Sequence, residues 1–82
     1  MAETLPQLIA QWNRTSSEAV RVQLCQYNGT SLIEVRIYWR NHEGEYRPSR
    51  KGISLGLKHL PALADALAQA EAKARAMGLL EA

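Results

Sequence analysis

Arg47, Arg50 and Lys51 crowd around Pro48 in the stretch RPSRKGISL, residues 47–55, which then turns abruptly apolar. Like charges at this spacing repel, so the cluster suits an anionic partner. Upstream, Tyr38 and Trp39 adjoin Arg36 and Arg40, Tyr27 stands beside a turn, and Tyr46 opens the next segment. Rings interleaved with arginines suit single-stranded nucleic acid: bases stack on the aromatics while guanidiniums follow phosphates. A duplex keeps its base faces inside and leaves such rings without a role. The plainer alternative is a set of ordinary sheet aromatics beside a solvated charged surface.

Residues for catalysis are scarce by comparison. His42 falls in a turn and His59 at a helix start, and neither has the serine, cysteine and acid of a relay nearby. Cys25 sits on the polar side of an alternating segment, with no neighbour in sequence to lower its pKa. Gly44, Gly52 and Gly56 lack the spacing and context of a phosphate loop. No His/Cys set has zinc-ligand spacing, so neither metal nor cofactor is expected, nor an enzyme.

The 82 residues make one small domain with a modest core, and the single cysteine excludes an internal disulfide. Association of identical chains is the favoured way to bury more apolar surface. No apolar run reaches membrane-spanning length and no signal peptide is indicated, which fits an intracellular location. Net charge is +2, yet residues 36–58 hold six basic residues against two acidic ones, an asymmetry that suits a nucleic-acid footprint.

The elements that must position these residues follow from periodicity. Leu5, Leu8, Ile9 and Trp12 share one helical stripe, and Thr4 and Gln7 have capping-box spacing, so a short N-terminal helix is predicted within an extension covering residues 1–17. VRVQLCQY alternates as a half-buried strand, with Val20, Val22 and Leu24 opposite Arg21, Gln23, Cys25 and Tyr27. A turn at Asn28–Gly29 leads to a second strand, LIEVRIYWR, whose Ile33, Val35 and Ile37 face the core. A short third strand starts near Glu45 and ends by Pro48 unless it lies on an edge, and GISL is a fourth, with Ile53 and Leu55 inward. Leu60, Leu63, Ala64, Leu67, Ala70, Ala74 and Met77 form the stripe of a long helix that starts between Gly56 and Pro61 and stops at Gly78. Strands followed by a helix, in blocks, give an α+β fold with an antiparallel sheet.

The ordered combination from Leu32 to Leu55 resembles the C-terminal domain of the transcriptional coactivator family known as positive cofactor four. The likeness lies in a strand ending in Tyr-Trp, a Glu-Gly-Glu turn, a basic-Pro-x-Arg-Lys-Gly run, and Ile-Ser-Leu leading into a helix. It extends over roughly residues 18–75 of a domain placed at 18–82. The resemblance implies a curved four-stranded antiparallel sheet followed by a helix, paired into a homodimer through the helices. It implies binding of single-stranded or unwound DNA with little sequence preference, in a transcription-regulating role. By position, the family's contacting aromatics fall on Tyr27 and Trp39, and its basic contacts on Arg36, Arg47, Arg50 and Lys51. Glu18 stands where the family has a basic residue, and Ser49 where it has a loop glycine.

Arg36 and Trp39 are three apart, so an ideal strand sends them to opposite faces; a bulge near Tyr38 is predicted to bring them together. The competing class is a dimeric adaptor that docks a protein of the transcription machinery, with Trp12 on its N-terminal stripe. RNA in place of DNA is the other alternative.

Overall fold

A computed structural model describes residues 5–81. Its elements, in chain order, are β1 (Gln7–Asn13), β2 (Glu18–Tyr27), β3 (Thr30–Arg40), β4 (Tyr46–Gly56), a single 3-10 turn (Leu57–His59) and α1 (Leu60–Ala76). The four strands form one antiparallel meander in the order β1-β2-β3-β4. This is the α+β arrangement read from the sequence, but the strands are partitioned differently.

The N-terminal helix is the first correction. Residues 7–13 form a strand, laid along the edge of β2 with Gln7 opposite Leu24 and Asn13 opposite Ala19. Ile9 is an extra residue between the pairs Leu8–Gln23 and Ala10–Val22, and this bulge disguises the alternation. A helix of this length is marginal on its own, whereas the edge of β2 offers a ready ladder. Thr4, half of the expected capping box, lies outside the described residues.

The second correction merges two strands. The expected third and fourth strands are one continuous β4 that runs through Pro48. β4 is an edge strand, where the missing proline donor is tolerated. Its ladder with β3 jumps from Arg36–Gly52 to Tyr38–Pro48, so Ser49, Arg50 and Lys51 together stand opposite Ile37. Gly52 enables this approach: a Cβ there would lie 2.6 Å from the Val35 carbonyl oxygen and 2.8 Å from the Arg36 Cα.

The turns and helix ends follow the sequence closely. Asn28 and Gly29 both take positive φ, at 50° and 78°, which closes the β2–β3 hairpin. The Asn41 side chain accepts from the amides of Glu43 and Glu45, both at 2.9 Å, and organises the β3–β4 turn. At the end of α1 the Leu79 amide donates to the Ala74 carbonyl at 2.9 Å and Gly78 to Arg75 at 3.1 Å, with Gly78 at φ 75°. That pair of bonds is a Schellman stop.

Alternation gives the sheet a polar face, carrying Arg21, Gln23, Glu34, Arg36 and Tyr38, and an apolar face, carrying Val20, Val22, Ile33, Val35 and Ile37. Among the described residues the buried hydrophobic ones are Ala19, Ile33 and Tyr38. Tyr38, expected with the polar side chains, is covered there: the Arg21 guanidinium carbon lies 4.1 Å from its ring centroid. No residue of α1 is buried. Ile53, expected to point into a core, is exposed beside a hollow of about 260 Å³ lined with Val35, Ile37 and Lys51. A single chain therefore only half-buries Val20, Val22, Val35 and Ile37 of its apolar face and leaves Leu67 and Met77 of the helix stripe exposed.

Candidate nucleic-acid interface

The cationic segment is built on the β4 bulge. Pro48 and Gly52 bracket it, and the two outer pairs, Tyr38–Pro48 and Arg36–Gly52, hold both of its ends against β3. Between them the surplus backbone presents Arg50 and Lys51, both exposed. None of the ion pairs among the described residues includes Arg50 or Lys51. Arg47 does have one, with Glu45 at 3.0 Å, but both side chains are more than half exposed, so the pair is weak and easily exchanged for another anion.

Trp39 is the register partner of Arg47, and it stands 45% exposed between Arg47 on β4 and Glu18 on β2. A half-exposed indole with an exposed guanidinium on the neighbouring strand is the local arrangement that base stacking and phosphate contact require. The acidic neighbour Glu18, placed by Arg14 at 3.8 Å, reduces the positive potential on the β2 side.

Arg36 behaves differently. Its side chain is only 20% exposed, and its guanidinium is held from three directions. Nε donates to Glu34 Oε2 at 3.1 Å, Nη1 to the Ser49 carbonyl at 3.0 Å, and Nη2 to Ser54 Oγ at 3.4 Å. Glu34 in turn accepts from Gln23 Nε2 at 2.7 Å and from Ser54 Oγ at 3.2 Å. Burial is the largest single influence on Glu34 and opposes its ionisation. The hydrogen bonds from Gln23, Arg36 and Ser54 and the Arg36 charge together outweigh it, and the carboxyl titrates below the ordinary glutamate value. The polar face is thus a closed network in which Arg36 is a strut under the bulge.

The expected convergence of Arg36 and Trp39 does not occur. The bulge lies next to Tyr38 as predicted, but on β4. The β2–β3 register runs unbroken from Glu18–Trp39 to Tyr27–Thr30, so alternation keeps Arg36 and Trp39 on opposite faces. Proline and glycine on β4 make that strand the one that deforms. Tyr27, 64% exposed, stands on the polar-face side at the far end of β2. The nine residue steps along β3 from Thr30 to Trp39 put about 30 Å between the two aromatic positions. Trp39, Arg47 and the bulge therefore form one cluster, and Tyr27 a separate outpost.

Tyr38 shares the polar face with Arg36 and Glu34, as their alternation along the strand predicts; Arg21 and Gln23 join them from β2, opposite Arg36 and Glu34, and their alternation with Val20 and Val22 is the signal that marks that face. Cys25, on the same face, has its thiol pKa raised by burial and by Glu34, which leaves it a poor nucleophile. Among the described residues no group of three His, Cys, Asp or Glu side chains could hold a metal ion, and no helix is long and apolar enough to cross a membrane.

A single open sheet with an exposed ring-and-cation cluster on one edge, followed by a helix none of whose residues is buried by its own chain, defines a small surface-binding module of sheet-plus-helix type. The family described as Transcriptional Coactivator p15 (PC4) matches residues 12–66, more than half of the sequence, and the chain belongs to that family. Among solved structures it is similar to a PC4 homolog from Burkholderia pseudomallei K96243, with 24% identity, a TM-score of 0.74, and coverage of 87% of this chain and 96% of that one. It is also similar to a bacteriophage T5 homolog of the eukaryotic transcription coactivator PC4 implicated in recombination-dependent DNA replication, with 22% identity, a TM-score of 0.70 and coverage of 85% and 81%. A third similar chain, from the MoSub1–DNA complex, gives 26% identity, a TM-score of 0.64 and coverage of 89% and 90%.

Proposed function

We infer that this protein is a homodimeric, non-enzymatic binder of single-stranded or locally unwound DNA with little sequence preference, acting as a coactivator-like regulator of transcription. The observation that carries the reading is the cluster of Trp39, Arg47, Arg50 and Lys51 at the β4 edge: an exposed ring beside cations of which two have no acidic partner among the described residues. Bases stack on Trp39, the cations neutralise phosphates, and Tyr27 offers a second ring at a distance. Arg36 supports the site from below. Membership of the PC4 family and similarity to a chain crystallised with DNA support the same conclusion.

The dimer reading rests on α1. Leu67 and Met77 of the apolar stripe are exposed on a helix none of whose residues is buried by its own chain. Pairing α1 with its copy buries that stripe and sets two cationic edges in one particle. An intracellular site of action follows from such a ligand, and a protein of the transcription machinery is a further partner.

The experiment is an anisotropy titration with a labelled single strand, the matching duplex and an RNA of the same sequence. The single DNA strand binds best, and affinity falls with salt at a log–log slope of about −0.7 per phosphate neutralised. Equal affinity for strand and duplex removes the stacking role. Tighter binding of RNA reassigns the ligand.

A further inference from the structure

Ser49 occupies the first position of the β4 bulge, and its hydroxyl makes two bonds at once. Oγ donates to the Ile37 carbonyl at 2.7 Å and accepts from the Lys51 amide at 3.1 Å. The first bond ties the bulge to the one β3 residue it faces. The second closes a local turn that carries Arg50 across the gap. The Ser49 carbonyl is the acceptor for Arg36 Nη1 at 3.0 Å, so both the side chain and the backbone of one residue are gripped from β3.

We propose that Ser49 and Arg36 form a clasp that fixes the cationic bulge, and that Ser49 is a positioning residue for anionic ligands bound by Arg47, Arg50 and Lys51. This rests on the reading of that cluster as a phosphate-binding edge. A three-residue bulge without side-chain ties is free to sample many backbone states, and its cations repel one another. Holding Ser49 down at two points removes that freedom before the ligand arrives, so less ordering is left to oppose binding. Ser49 touches no phosphate in this scheme; it acts through the cations that it places. Arg36 contributes geometry as well as charge, since its fork spans Glu34, the Ser49 carbonyl and Ser54. A lysine has the charge without the fork.

The test uses the full chain, Ser49→Ala, Ser49→Thr, Arg36→Lys and the double variant Ser49→Ala/Arg36→Lys, with a labelled oligothymidylate as probe. Ser49→Ala removes both Oγ bonds and weakens binding by about fivefold or more. It also makes the salt slope shallower by up to about 0.7, as one phosphate contact becomes intermittent. Ser49→Thr keeps a hydroxyl and restores both. Arg36→Lys weakens binding despite an unchanged net charge, and the double variant falls short of the sum, because the two residues serve one clasp.

Amide hydrogen exchange supplies a readout independent of ligand: the Lys51 amide exchanges faster in Ser49→Ala and is protected again in Ser49→Thr. A purely structural serine lowers the melting temperature and leaves the salt slope alone, which overturns the proposal. So does a parent-like affinity of Ser49→Ala, or Lys51 exchange that ignores the substitution. A parent that does not bind the strand overturns the phosphate-edge reading and the clasp's role in it together. That result is distinct from failure of the clasp alone, in which the parent binds and Ser49→Ala binds equally.

Discussion

Leu67 lies midway along α1 with 59% of its surface exposed in the single chain. In a monomer, Leu67→Ala loses little, and Leu67→Asp places a charge in water at small cost. In the proposed helix-paired dimer the same surface is buried. Full burial of a leucine side chain is worth about 1.5–3 kcal/mol. The exposed share leaves about 1–2 kcal/mol per copy still to be gained, and two copies give about 2–4 kcal/mol, as an upper bound on the interface contribution. At about 1.4 kcal/mol per decade, Leu67→Ala raises the dimer dissociation constant from more than tenfold to several hundredfold. Leu67→Asp buries an uncompensated charge and abolishes the dimer. Sedimentation equilibrium gives the constants directly, and the melting temperature of the parent rises with protein concentration while that of Leu67→Asp does not. A parent that sediments as a monomer at micromolar concentration, or a Leu67→Asp variant that pairs like the parent, refutes the reasoning.

Three further outcomes follow from the same geometry. Trp39→Ala costs about 1–3 kcal/mol of single-strand affinity with the salt slope nearly unchanged, whereas Arg50→Ala makes the slope shallower by about 0.7; anisotropy titrations at several salt concentrations separate the two. Gly52→Ala forces a methyl against the Val35 carbonyl and the Arg36 Cα, both backbone, and urea denaturation registers a loss of about 1–3 kcal/mol. Glu34 has a depressed folded-state pKa, so its contribution to stability is present above the unfolded value of about 4.3 and is lost as pH falls through the lower folded value. Glu34→Gln therefore flattens the acid limb of the stability profile below about pH 4.3, measured by thermal melting across pH.

How far the sequence could be read depended on whether the deciding contact was local. The Asn28–Gly29 turn, the Gly78 stop and the faces of β2 are set by a residue and its near neighbours, and all were legible. The N-terminal strand was not. Leu8, Ile9 and Trp12 have helical spacing only because a bulge at Ile9 shifts the alternation, and the reason to be extended is the edge of β2, which no local pattern records. Pro48 gave a true signal with two meanings: the end of a strand, or an edge. The merger into β4 followed from the second. For the site, residue types were legible and their faces only in part. The bulge was placed beside Tyr38, yet which strand would carry it depended on Gly52 meeting the Arg36 backbone, a contact between segments. Arg36 was therefore grouped with Trp39, although its charge is turned to Glu34 and the Ser49 carbonyl.

In the proposed complex a single strand stacks on Trp39 of β3, beside the cations of the β4 edge. Trp12→Phe leaves Trp39 as the sole tryptophan, and its intrinsic fluorescence is followed during titration with oligothymidylate and with duplex. Stacking on Trp39 gives saturable quenching by the single strand, weaker quenching by the duplex, and reversal as salt releases the strand. Binding of the strand, seen by anisotropy, with no change in Trp39 emission would contradict it.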